Sequence, residues 1–256
     1  MNNFKIILAI AVLVLASVGA MGQNNSNYDK LESKAKSFVQ IEEWNSANAM
    51  FILMVEQREN DAKPYAGAIV SAGILNNENM QLDMLERTQK RGIAMDSIFN
   101  AVHDFAFSIG QSGEYEKFLK LVKSRNQWIS RHINIRLLKY YDFRNDAPNM
   151  VAIGNELLAT TPNDIEDLSV VARGYMIMAD YENAVNTYKR ILELNPSDYN
   201  SLIALGNYYY VMWKSAEGTR AQFTQIKTDA LNYLSKAYKS QPTPFLAKMI
   251  DELKAE

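Results

Sequence analysis

Pro162 and Pro196 stand 34 residues apart, and the residues between them constrain the fold more than any other feature of the chain. Leu168, Val171, Ala172 and Tyr175 recur at three- and four-residue steps, so they share one face of a helix. Ala184 and Tyr188 continue the pattern on a second helix, after a turn at Ala179-Asp180-Tyr181-Glu182. Ala172 is small where a partner helix must cross closely, and Ala184 answers it from that partner. Pro196 stops the second helix, because proline lacks the N–H that would continue the hydrogen-bond ladder. One such hairpin cannot bury both of its apolar faces, whereas stacked neighbours can.

The pattern returns on both sides. Downstream come Leu202, Leu205, Gly206 and Tyr209, then Ala230, Leu234 and Pro242, with the second helix 12 residues late against a 34-residue frame. The extra residues lie around Lys214 to Gln225, and longer helices on either side of a turn at Gly218 account for them better than a lid. Upstream, Leu137, Leu138 and Tyr141 with Met150, Gly154 and Pro162 make a weaker copy. Val102, Phe105, Ala106 and Ile109 with Tyr115, Phe118 and Val122 make another. The first copy joins Leu31, Ala35 and Phe38 to Trp44, Ala47, Phe51 and Met54. Between these, from about Pro64 to Arg91, runs a degenerate hairpin whose register the pattern does not fix.

A 34-residue period with this large–large–small–aromatic spacing resembles the tetratricopeptide (TPR) family. The resemblance implies an all-α fold, a right-handed α-solenoid of about six TPR-like helix–turn–helix repeats over residues 28–241. Residues 242–256 read as a C-terminal capping helix, with Thr243 as N-cap and Pro244 at the first helical position. Phe245, Leu246, Met249, Ile250 and Leu253 keep helical spacing there, as the solvating end of a repeat stack requires. Lys34 stands where the family usually has a large apolar residue, and Gly154 where it has an aromatic. Those departures bear on the regularity of the superhelix, not on its helical character.

Residues 1–22 read as a signal peptide. Lys5 precedes an uncharged run, Ile6 to Val18, and the small residues Gly19, Ala20 and Gly22 follow before a polar stretch. An uncleaved membrane anchor is the alternative, but the run falls short of the roughly 20 apolar residues of a span. No cysteine follows the run, so the lipoprotein pattern is absent. The expectation is an exported chain, periplasmic or secreted, of bacterial type, with no transmembrane span after cleavage.

The chain has no cysteine at all, which excludes disulfides, thiol nucleophiles and Cys-ligated metal. No HExxH, GxSxG, P-loop or GxGxxG pattern occurs either, so no metal site, catalytic residue or cofactor is expected and the reading is not that of an enzyme. His103 and His132 are the only histidines, on the first helices of adjacent hairpins. Half-exposed helix residues describe them better than a ligand or acid–base pair.

Binding is the expected job. TPR stacks hold extended peptides or helices along the surface lined by the first helix of each pair. That resemblance points to Arg173, Met176, Ile177, Ile203, Asn207 and Tyr210 as a partner-binding groove, with Lys139, Ile135, His103 and Phe107 from the weaker repeats. Asn207 matches the asparagine that TPR grooves often set against a peptide backbone, while the full basic clamp for a C-terminal carboxylate is not reproduced. The expected role is a protein–protein interaction adaptor or scaffold with a protein or peptide partner. An envelope polymer or carbohydrate-binding protein, or a structural subunit of an envelope complex, remains the alternative. For the polymer reading the attraction is residues 116–144, where eight basic residues face two acids. With 27 basic and 29 acidic residues overall, nucleic acid is not an expected partner.

Overall fold

The structure of the chain, a computed structural model, describes residues 26–215 and 220–255. The signal-peptide segment 1–22 and the turn at Gly218 lie outside the described residues. Those described are helical with short connections and contain no strand. Helix α1 spans 26–40, followed by α2 (Trp44–Gln57), α3 (Ala62–Ile74), α4 (Glu78–Lys90), α5 (Met95–Ser108) and α6 (Ser112–Arg125). A 3₁₀ turn (Gln127–Ile129) leads to α7 (Ser130–Arg144), α8 (Ala147–Leu158), α9 (Ile165–Ile177), α10 (Tyr181–Leu194), α11 (Tyr199–Ser215), α12 (Arg220–Ser240) and α13 (Pro244–Ala255).

The helices pair into six hairpins and a final single helix, the count expected from the repeat. The degenerate stretch is itself a hairpin, α3 with α4. Pro162, Pro196 and Pro242 fall in connections. Pro64, Pro148 and Pro244 lie inside the first turns of α3, α8 and α13, where a missing N–H costs nothing because those N–H groups have no intrahelical acceptor.

One turn geometry closes each of the first five hairpins. Glu42, Asn76, Gly110, Asn145 and Ala179 all sit at positive φ, between 52° and 72°. In each turn the next N–H reaches back five residues to a carbonyl at 2.8–2.9 Å: Glu43 to Phe38, Asn77 to Ala72, Gln111 to Ala106, Asp146 to Tyr141 and Asp180 to Tyr175. This is the Schellman arrangement, which satisfies carbonyls left over at a helix end. The 34-residue period is thus carried by backbone geometry even where the side-chain pattern fades.

The helices fall into two compact units, one ending at Ile129 and one beginning at Ser130. In the first, α3 packs against α2, α4, α5 and α6. Every residue from Pro64 to Gly73 is buried, so α3 has no polar face and its sequence carries no amphipathic period. A Cβ at Gly67 would run into the Phe51 ring, so α2 and α3 meet at the closest approach glycine allows. Asn48 of α2 is buried in this contact, and its Nδ2 donates to Ala68 O (3.0 Å) and Ser71 Oγ (2.9 Å) of α3.

In the second unit the closest packing runs from each helix to the next in sequence, from α7 through α13. One apolar cluster joins Leu168, Ala172, Val185, Tyr188, Ile191 and Leu205. Another joins Leu202, Trp213, Ala230 and Leu234 to Leu246, Met249, Ile250 and Leu253 of the last helix. Gly154 has a reason here: a Cβ would collide with Val171, so the missing aromatic is what lets α9 close on α8. Helices α11 and α12 run to 17 and 21 residues, which takes up the insertion as expected. Thr243 caps α13, its Oγ1 accepting from Leu246 N at 3.2 Å.

Candidate interaction surface

The first helices of the hairpins in the second unit are α7, α9 and α11, and all the strongest groove candidates lie on them. Lys139, Arg173 and Asn207 occupy one register position, 34 residues apart, on the three helices in turn. One helical turn further on, on the same face, lie Phe143, Ile177 and Val211, again 34 apart. These three large apolar side chains are 71, 49 and 61% exposed. The result is two parallel rows, one of N–H donors and amides and one of exposed hydrophobic groups. Ile177 was singled out by the sequence pattern; Phe143 and Val211 were not, although the 34-residue step from Ile177 reaches both.

Among the sequence candidates, Lys139, Arg173 and Ile177 are exposed, and Met176, Ile203, Asn207 and Tyr210 are half-buried. Arg173 is held in an ion pair by Asp142 of α7. Met176 packs against the Leu168–Tyr188 cluster and Ile203 against the cluster of the last hairpin. The Asn207 Oδ1 is buried and has no hydrogen-bond partner among the described residues. Tyr210 turns away from the others: its hydroxyl donates to Glu252 of α13. Lys214 Nζ reaches the same carboxylate at 2.6 Å and lies 4.9 Å above the Tyr210 ring. That Lys214 ammonium, and then the Tyr210 hydroxyl, hold the Glu252 carboxyl below the ordinary carboxylate range, and Glu252 in turn pushes the Lys214 ammonium up. Tyr210 therefore fastens α11 to the capping helix. Its neighbours in the aromatic run also pack internally, with Tyr209 stacked on Tyr233 at 5.8 Å and Trp213 only 5% exposed.

His103 pairs through Nδ1 with Asp104 (2.9 Å) and stacks on Phe107 (4.2 Å). His132 Nε2 accepts from Arg136 Nε at 3.3 Å. Each histidine is thus held by residues of its own helix, and Ile135 beside His132's helix turn is half-buried. The basic stretch 116–144 is shared between α6 of one unit and α7 of the other. Its cations have local companions, such as Lys117 with Glu114, Lys120 with Glu116, and Arg131 with Thr160 and Thr161. Among the described residues no group of three His, Cys, Asp or Glu side chains could hold a metal ion, and no helix is long and apolar enough to cross a membrane.

The first unit holds a cleft that sequence reasoning missed. It encloses about 780 Å³ and is lined by Tyr28 and Lys36 of α1, Phe51 and Met54 of α2, and Phe105 and Ile109 of α5. Phe51 and Phe105 meet edge to face at its base, with ring centroids 5.2 Å apart. Its walls come from helices separated by the degenerate hairpin, so no local motif announces it.

These features define a class: an all-α protein built of tetratricopeptide-like helix hairpins. No family model matches the sequence, and no curated protein matches it. Several solved structures are similar in shape. A putative protein binding protein from Bacteroides ovatus is 20% identical with a TM-score of 0.42, covering 59% of this chain and 92% of its own. The C-terminal part of a TPR repeat-containing protein from Cytophaga hutchinsonii is 15% identical with a TM-score of 0.41, covering 85% and 97%. The TPR2AB domain of yeast Sti1, in complex with pHSP90, is 11% identical with a TM-score of 0.37, covering 90% and 99%. At those scores the assignment rests on this chain's own turns, hairpins and spacing.

Proposed function

We propose that this protein is an exported, periplasmic or secreted adaptor that holds a segment of a partner protein across α7, α9 and α11. The observation that carries the reading is the pair of rows repeated every 34 residues, Lys139–Arg173–Asn207 and Phe143–Ile177–Val211. Large apolar side chains left in water at three equivalent positions are stabilised by a partner that covers them. The unpartnered Asn207 Oδ1 points to the same kind of ligand, because a peptide N–H would satisfy it. Leaving such an acceptor buried and unpaired costs about 1–3 kcal/mol. Arg173 is already fixed by Asp142, so less side-chain freedom is lost on binding. Export is supported by the charged, apolar and small-residue order of residues 1–22.

A crosslinking pull-down from the native cell envelope tests both halves. The wild-type protein is run beside an Ile177→Glu/Val211→Glu double variant, whose sites are solvent-exposed so that folding is left intact. One dominant protein captured by the wild type and lost by the variant is the expected result. Equal capture by both moves the contact off this face. Mass spectrometry of the chain recovered from the envelope should find its N-terminus just after Ala20 or Gly22; an intact Met1 would sink the cleaved-signal reading.

A further inference from the structure

The first unit contains a second, smaller pocket on the side where α6 faces the end of α3 and the start of α4, and its floor holds an unsatisfied charge. Glu114 is 7% exposed. Its Oε1 accepts from Lys117 Nζ at 2.7 Å, but its Oε2 is buried with no hydrogen-bond partner among the described residues. Beside it lies Gln81, 4% exposed, whose Nε2 is committed to Ile69 O at 3.1 Å. Both groups lie over the bare backbone of Gly73, where an added Cβ would come within 2.6 Å of Gln81 Nε2 and of Glu114 Oε2. A pocket of about 420 Å³ opens above this floor, and Lys120 and Arg125 stand on its rim.

The chemistry of the lining selects the ligand. A buried carboxylate oxygen without a partner calls for an N–H donor, and a charged donor gives the strongest bond. The surroundings oppose a simple cation, because Lys117, Lys120 and Arg125 outnumber Glu78 and Glu114. Arg125 is the cation there with most to gain from an anion, since its ion pair with Glu78 is a loose 3.9 Å. A molecule carrying an ammonium group at one end and a carboxylate at the other meets both demands, and the volume admits one or two amino-acid residues. We propose that this pocket binds a compact zwitterion, an α-amino acid or dipeptide, with its ammonium group on Glu114 Oε2 and its carboxylate on Arg125 and Lys120. The site lies in the first unit and is independent of the face formed by α7, α9 and α11.

Calorimetric titration of the whole protein with a panel of L-amino acids and dipeptides tests the proposal. At least one zwitterion should bind, and its N-acetyl and C-amide derivatives should each bind more weakly. Glu114→Gln should weaken binding at least about tenfold, the loss expected for a hydrogen bond to a charged group. Arg125→Ala, at an exposed position, should weaken it with the thermal midpoint unchanged, and Gly73→Ala should block it by filling the floor. If Glu114→Gln misfolds, the Arg125 and Gly73 variants decide. A panel with no binder overturns the proposal, as does a binder indifferent to these substitutions.

Discussion

In the first unit α3 touches α2, α4, α5 and α6, whereas in the second the closest packing passes from each helix to the next, α7 to α13. The same hairpin, closed by the same turn, has therefore been assembled in two ways. Around α3 the helices share one buried member, so removing it exposes four partners at once. In the second unit each hairpin meets mainly its neighbours, the arrangement in which stability is approximately a sum of repeat and nearest-neighbour contributions. The first unit should behave cooperatively, and the second should fray from its end.

Three substitutions sharpen or break that contrast. Ile69→Ala, at a fully buried site in α3, is expected to cost about 2–5 kcal/mol. Amide hydrogen exchange should then accelerate across α2 to α6 together; a loss confined to α3 and α4 would break the comparison. Thr243→Ala removes the cap of α13 and is expected to cost about 1 kcal/mol. Its effect should be read in α12 and α13 and not in α7 to α9, and uniform loss throughout the second unit would show that its hairpins do not act singly. Ala179→Gly is the smallest and has the opposite sign. Relief of the left-handed alanine should offset glycine's entropy and stabilise by about 0.5–1 kcal/mol in a denaturant titration.

Much of this was legible in the sequence, and the gaps have physical causes. Six hairpins and a capped final helix follow from apolar spacing and proline positions. The register of α3 did not, because a helix buried on every side has no polar face to set its phase. Gly154 read as a departure from the repeat until Val171 was seen against it. Of the groove residues, Lys139, Arg173 and Asn207 share a register that counting alone recovers. Phe143 and Val211 escaped because an apolar helix residue reads as core until exposure is known. Tyr210 was phased outward by its own helix, but the helix that meets it begins more than thirty residues later, and Glu252 could not be foreseen from α11. Glu114 read as a turn residue, since its burial is imposed by α3 and α4.

The repeated left-handed turn also bears on how such a chain can lengthen. Because every one of the first five hairpins is closed by the same hydrogen-bonded cap, the loops between hairpins are the natural seams for copying or trimming a segment. A duplication cut at the seams around α9 and α10 would extend the two rows by one rung and leave their spacing unchanged. The same operation around α3 and α4 would present two all-apolar helices to a site built for one. The second unit is the part of this molecule that can grow.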